Sequence, residues 1–192
     1  MIIDTVFALP KDFDILIVDD NSPDGTAEIV KDLQKTYNSD TTTRLHLLQR
    51  PGKQGLGTAY IQGFKHVLQA GYDYVLQMDA DFSHNPKDLI TLYLNCSEWG
   101  SDLSVGSRYV TGVNVVNWPM GRVLLSFFAS KYVQIITGIP LHDTTAGFVC
   151  YRSKVLQTIP LNEVKFIGYA FQIEMKFLTW KYGFKLSEVP II

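Results

Sequence analysis

Short apolar runs rich in β-branched residues alternate with longer stretches of helical spacing along most of this chain, and that alternation leaves few folds open. Ile15 to Val18 reads as a short buried strand, Asp19 to Gly25 as the turn after it, and Thr26 to Tyr37 as a helix through Ala27, Ile29, Val30 and Leu33. Leu45 to Leu48 is the next strand, followed by a glycine-rich loop from Gly52 to Gly57 and a helix from Thr58 to Ala70 that Gly71 stops. Tyr74 to Met78 predicts a central strand, Pro86 to Cys96 a helix opened by its proline, and Leu103 to Val105 another strand. Further on, Pro119 starts a strongly apolar helix running to Thr137, closed by Gly138 and Pro140. Phe148 to Tyr151 reads as a strand, Tyr169 to Tyr182 as a helix stopped by Gly183, and Lys185 to Val189 as a last strand. Repeated strand–helix–strand units predict an α/β domain with a mainly parallel sheet flanked by helices, a single unit over residues 1–192.

Composition narrows the function. Apolar residues make up 46% of the 192 and charged residues 19%, enough for a continuous core and too little charge for a disordered chain. Net charge is −2 with lysine and arginine scattered, which argues against a nucleic-acid surface. Cys96 and Cys150 have neither metal-ligand spacing nor a disulfide framework, and read as buried free thiols in a cytoplasmic protein. No uncharged apolar run approaches the ~20 residues of a membrane span. Met1 to Pro10 carries an early acid, lacks the basic start of a signal peptide, and reads as the last turns of a helix. The opening on a helix end and the stop within the strand at Val189-Pro190-Ile191-Ile192 lead us to expect a fragment of a longer protein.

Ligands of open α/β sheets bind beyond the carboxyl ends of the strands. Two acidic groups fall there, Asp19-Asp20 and Asp79-Ala80-Asp81. In extended chain, positions i and i+2 point to one side, so Asp79 and Asp81 can converge on one point. Carboxylates so close repel unless a cation joins them, and hard oxygen ligands suit Mg²⁺ or Mn²⁺ shared with substrate phosphates. The other reading is an ordinary exposed acidic turn. Asp19 to Thr26 is equally a turn with a helix N-cap or a place where an aspartate accepts hydrogen bonds from a nucleobase or ribose. The glycine-rich loop lacks the spacing of known phosphate loops and reads as a tight turn feeding a helix, with Arg50 and Lys53 as candidate phosphate neighbours. Arg108 follows another strand, where it either pairs with a diphosphate or forms a surface ion pair. Ser83 is a candidate outer metal ligand. His84 and His142 are either metal ligands or hydrogen-bonded structure.

Taken in order, Ile17 to Thr26, Gly55 to Tyr60, Met78 to Pro86, Gly106 to Tyr109, Gly147-Phe148, Gly168 to Met175 and Glu188 to Ile191 resemble the dolichyl-phosphate (polyprenyl-phosphate) mannosyltransferases of glycosyltransferase family 2. The resemblance spans nearly the whole chain and implies a GT-A fold. It further implies an inverting, metal-dependent transfer of mannose from GDP-mannose to a polyprenyl phosphate. By motif, Val18 and Asp20 would contact the nucleoside, while Asp79, Ala80 and Asp81 would contact the diphosphate and the Mg²⁺ or Mn²⁺ ion. Ser83 matches a further metal ligand and Arg108 a donor-phosphate contact, so Asp81 and Arg108 are the expected catalytic pair. The family also has a first strand ending in Pro-x-Tyr-Asn-Glu, which nothing before Asp14 matches, and a basic loop beyond the final Val-Pro-Ile. A fragment lacking that strand and the acceptor loop is therefore expected.

The rival readings are a related transferase using UDP-glucose or another sugar nucleotide, and a non-catalytic nucleotide-binding module. A lipid-phosphate acceptor implies peripheral contact with the cytoplasmic face of a membrane. Between Pro119 and Thr137, Val123, Leu124, Phe127, Phe128, Ile135 and Ile136 exceed what one buried stripe needs, with Arg122 and Lys131 among them. This stretch either lies in a membrane interface or is a core or dimer helix.

Overall fold

The computed structural model describes residues 1–114 and 119–191, with Arg122 described in its backbone alone. Ile192 and the Arg122 side chain, both named above, lie outside the described residues. Seven helices and six strands follow one another along these residues. The first half runs α1 (Ile2–Phe7), β1 (Ile15–Asp19), α2 (Thr26–Tyr37), β2 (Leu45–Gln49), α3 (Leu56–Gln69), β3 (Tyr74–Gln77), α4 (Asp88–Ser97) and β4 (Leu103–Ser107). The second half adds α5 (Met120–Thr137), β5 (Val149–Arg152), α6 (Ser153–Thr158), α7 (Ala170–Lys181) and β6 (Leu186–Pro190), with a 3₁₀ turn at Leu161–Glu163. The short α6 and the 3₁₀ turn span too few residues for their periodicity to stand out in the sequence.

β1 pairs in parallel with β2, from Ile15 opposite Leu45 to Asp19 opposite Gln49. The other four strands form a sheet in the order β3-β5-β4-β6. β4 and β6 are parallel, whereas β5 runs antiparallel to both β3 and β4. The expected parallel pairing thus holds for two of the pairs, and the sheet is mixed at β5. Apolar alternation carries no information on strand direction, so only the tertiary pairing reveals it.

β5 is buried on both faces. Val149 and Tyr151 join Phe64, Val105, Phe171 and Met175 in one apolar cluster, while Phe148 and Cys150 join Leu89, Leu92 and Val189 in another. This is the period of two that a strand between helical layers requires. A third cluster of Ile3, Val30 and Leu45 packs α1 and α2 on the β1–β2 pair. Cys96 and Cys150 are buried free thiols, as expected, and the Cys96 thiol donates to the Cys150 carbonyl at 3.5 Å.

In the glycine-rich loop, Gly55 and Gly57 allow close approach to the chain at Phe166 and Ile167. The Gly57 amide donates to the Ile167 carbonyl at 2.9 Å. A Cβ on Gly57 would stand 2.7 Å from the Phe166 carbonyl oxygen and 2.8 Å from the Phe171 ring. Gly55, at φ +100°, faces Ile167 in the same way. We expect Gly57→Ala to lower stability by about 1–3 kcal/mol through overpacking against backbone. Chemical denaturation of the full-length protein checks this, and an unchanged midpoint would contradict the packing described.

Candidate active site

β1 and β3 both line a cleft of about 790 Å³, walled by Leu16, Ile17, Val18, Tyr60, Val75 and Leu76, which reaches Asp79, Ala80 and Asp81. Four of the residues singled out in the sequence, Val18, Asp79, Ala80 and Asp81, therefore border one space. A volume of this order is that of a small-ligand site. The Val18 side chain also leans on α3, 3.5 Å from where a Gly63 Cβ would lie.

Asp79, Ala80, Asp81 and Ser83 are all exposed beyond the end of β3. The Tyr60 hydroxyl donates to Asp79 Oδ1 at 3.2 Å, and the Asp79 amide donates to His84 Nδ1 at 3.4 Å. Asp81 Oδ1 accepts the Ser83 amide at 2.9 Å, and hydrogen bonding from Ser83 holds the Asp81 carboxyl below its ordinary pKa. Phe82 sits between them at φ +60°, a strained setting for a non-glycine residue, and its ring is exposed. Among the described residues no lysine or arginine pairs with Asp79 or Asp81. Nor do three histidine, cysteine, aspartate or glutamate side chains gather there as a metal-holding group. Two exposed carboxylates that no lysine or arginine among the described residues pairs with fit a hard divalent cation whose shell is completed by phosphate oxygens.

One supporting residue, Tyr60, carried no role of its own in the sequence reading. Tyr60 stacks on Phe171 at 5.8 Å and 2°, and burial, reinforced by the Asp79 charge, pushes its hydroxyl pKa up. Its place in the Gly55-to-Tyr60 motif was the only sign. His84 stacks on Phe148 at 4.7 Å; burial lowers its pKa against the pull of Asp79 and Asp81. It is hydrogen-bonded structure, as is His142, whose Nδ1 lies 2.7 Å from Glu188.

Asp20 is clamped by Arg50, whose Nη2 donates at 2.7 Å with Nε bonded to the other oxygen. Arg50 is buried, so it is a clamp of the β1 turn and not a phosphate neighbour as first read. Asp19 is buried and accepts the Ser22 amide at 3.3 Å. The N-cap of α2 is Gly25 in the left-handed region, with Asp24 bonded to the Thr26 amide at 3.1 Å.

Arg108 forms a largely buried ion pair rather than a surface one. Its Nε and Nη2 each donate to Asp143 at 2.7 Å, its amide donates to the same carboxylate at 3.1 Å, and Nη2 also reaches Thr145 at 3.0 Å. Nothing in the sequence around Asp143 signalled this, because the partners lie 35 positions apart. Glu188 accepts the His142 and Asp143 amides at 2.7 and 2.8 Å, so β6 holds the same loop.

The chain has the GT-A fold, an open α/β sheet with carboxylates beyond the ends of its strands. The crystal structure of glucosyl-3-phosphoglycerate synthase from Mycobacterium tuberculosis, in complex with Mn²⁺, UDP and glucosyl-3-phosphoglycerate, shares it. The two superpose with a TM-score of 0.65 at 15% identity, over 92% of this chain and 58% of that one. The Glycosyl transferase family 2 model matches residues 2–159, and the chain belongs to that family. Polyprenol monophosphomannose synthase of Mycolicibacterium smegmatis is 44% identical over 177 residues, which is 92% of this chain and 65% of the relative. Undecaprenyl-phosphate mannosyltransferase of Micrococcus luteus is 42% identical over 184 residues, 96% of this chain and 72% of the relative.

Burial alone would raise the Asp143 carboxyl, but the hydrogen bonds and charge of Arg108 outweigh it and hold it below its ordinary 3.8. A depressed carboxylate contributes stability above its unfolded pKa and loses it as pH falls through the folded value. Asp143→Asn leaves Arg108 without its counter-charge and should cost about 3 kcal/mol or more near neutral pH. Unfolding measured down the pH scale should show the gap between wild type and variant closing below 3.8. A gap that stays constant with pH would contradict the pairing.

Proposed function

We propose that the full-length protein is a polyprenyl-phosphate mannosyltransferase that uses GDP-mannose and a divalent cation, Mg²⁺ or Mn²⁺, held by Asp79 and Asp81. One observation carries the reading: two exposed carboxylates that no lysine or arginine among the described residues pairs with stand beyond β3, in a chain more than 40% identical to two enzymes named for mannose transfer. Mn²⁺ and UDP in the structural neighbour support a metal–diphosphate donor in this fold.

In this reading an anionic phosphate oxygen of the acceptor attacks the anomeric carbon of the sugar. The bond from that carbon to the diphosphate oxygen breaks, GDP leaves with the bonding pair, and the configuration inverts. The acceptor oxygen is already deprotonated near neutral pH, so no strong general base is needed. A bound cation supplies Lewis-acid stabilisation of the departing diphosphate. Asp79 and Asp81 would hold it, Ser83 steadies the Asp81 carboxylate through its amide, and Arg108, oriented by Asp143, is the contact to the donor phosphates. Val18 and Asp20, at the end of β1, are the nucleoside contacts.

Among the described residues no helix is long and apolar enough to cross a membrane. α5 nevertheless exposes Leu125, Phe128, Tyr132, Ile135 and Ile136, which recur at helical spacing along one side. Only the opposite side, with Val123 and Ser130, is buried, so core packing accounts for one face alone. Phe127 packs on Tyr109 at 5.5 Å, next to Arg108, so the helix borders the proposed donor site. We assign the exposed stripe to peripheral contact with the membrane that carries the lipid acceptor.

Calorimetry with GDP should show affinity that requires Mn²⁺ and vanishes with chelator; equal affinity in both would reject the metal role. Asp81→Asn should lower turnover by about a hundredfold or more, and near-normal turnover would remove Asp81 from the mechanism. A trial of GDP-mannose against UDP-glucose separates the mannosyl reading from a UDP-sugar transferase. In vesicle co-sedimentation, Leu125→Ser with Phe128→Ser should reduce binding to anionic vesicles while leaving the unfolding midpoint in place. A wild type that ignores such vesicles would reject the membrane contact.

A further inference from the structure

Lys176, in the middle of α7, has no exposed surface. A lysine there loses the hydration of its ammonium, and an apolar side chain of similar volume would ordinarily be favoured. Its Nζ donates to the Ala146 carbonyl at 2.6 Å and to the Gln172 carbonyl at 3.1 Å. The Gln172 carbonyl lies in the α7 ladder, where the amide four residues on serves it. The Ala146 carbonyl lies in the loop leading to β5.

One turn back on α7, Gln172 Oε1 accepts from Gln77 Nε2 at 2.7 Å, and the same Nε2 donates to the Gly147 carbonyl at 2.8 Å. Consecutive loop carbonyls, 146 and 147, are thus gripped from beneath by buried side chains of α7 and β3. This short segment begins at Asp143, which holds Arg108, and ends at Gly147, where a Cβ would stand 3.8 Å from Asp79 Oδ2. The two halves of the proposed donor site are therefore joined by five residues, the fourth of which is tied to Lys176.

We propose that Lys176 is a positioning residue for glycosyl transfer: its ammonium pins the Ala146 carbonyl and so fixes the 143–147 segment that orients Arg108 and closes against Asp79. This rests on the reading of Asp79 and Arg108 as donor-site residues. The ammonium also lies within the field of Arg108, Asp143 and Glu188. Burial lowers its pKa to about 7, Asp143 and Glu188 pull it up, and Arg108 pushes it down. An anionic donor diphosphate beside Arg108 favours the charged form, so donor binding and protonation of Lys176 support each other.

The test is Lys176→Met in the full-length protein, with unfolding, GDP affinity in Mn²⁺ by calorimetry, and donor kcat and KM followed from about pH 6 to about pH 9. The variant should fold with a midpoint at or above that of wild type, because it removes a buried charge. Its GDP affinity near pH 6 should be about tenfold weaker, the size of one lost charged hydrogen bond. Wild-type affinity should fall as pH rises through about 7, whereas the variant should be flat. A lowered lysine pKa means that the unfolded chain holds the extra proton between about 7 and 10.5, so wild type should gain stability relative to the variant across that window. Unchanged GDP affinity and kcat/KM in the variant, or losses that only track the unfolded fraction, would overturn the proposal. If the methionine variant does not fold, Lys176→Gln, which retains an N–H donor without charge, serves the same comparison; wild-type affinity and pH profile in it would overturn the proposal. Asp81→Asn and Arg108→Ala separate the two levels. If both weaken GDP binding and the Lys176 variants do not, the positioning role alone fails; if neither does, the donor-site reading fails.

Discussion

β5 lies between β3 and β4 and hydrogen-bonds to both, and because it runs against them it begins where they end. That geometry brings the chain before Val149 back to the carboxyl edge of the sheet. Asp143, Thr145 and Gly147 arrive there beside Arg108 and Asp79, which β4 and β3 deliver from the other direction. With both faces of β5 buried, the strand cannot slip by one residue without turning Phe148 and Cys150 into the opposite cluster. The register of one buried strand thus sets the relation between the two charged halves of the site.

The electrostatics of that edge divide into a neutralised part and an open part. Asp20 with Arg50 and Asp143 with Arg108 are bidentate pairs whose charges cancel locally, with Arg50 and Asp143 buried. Asp79 and Asp81 are exposed and, among the described residues, hydrogen-bond to Tyr60, His84 and Ser83, neutral donors and acceptors that orient them without cancelling charge. Pairing the buried charges avoids the penalty of an isolated ion in the interior. Leaving the exposed ones open keeps an attractive field for a cation and, through it, for a diphosphate.

Rigidity is distributed in the same way. The loop from Lys165 to Ile167 is held by the Glu174 carboxylate, which accepts the Lys165 and Phe166 amides at 3.0 and 2.9 Å, and by the Gly57 amide. Beneath the site, the Gln77 and Lys176 side chains of a buried layer donate to backbone carbonyls, and Gln172 Oε1 accepts from Gln77. Enclosed donors that are costly to leave unpaired admit few alternative arrangements once they are bonded, as Gln77 Nε2 and Lys176 Nζ are. The exposed stripe of α5 is the opposite case, an apolar surface that the described residues leave uncovered.

The α/β class, most element positions and the acidic strand end could be read directly from the chain, because they rest on local signals: the period of apolar residues, glycine and proline stops, and carboxylates two positions apart. The spacing of Asp79 and Asp81 after Met78 needed no partner to be recognised. The direction of β5, the capture of Arg108 by Asp143, the burial of Arg50 and Lys176, and the support of Asp79 by Tyr60 could not be read that way. Each depends on residues far apart in the chain, from 19 positions for Tyr60 and Asp79 to 78 for the pairing of Tyr74 with Arg152, or on burial that composition does not encode. Sequence by itself determined which residues carry charge and where strands end, since those follow from neighbours along the chain. Tertiary packing alone decided which of those charges are neutralised and which stay open, because pairing energy depends on distance and burial in space.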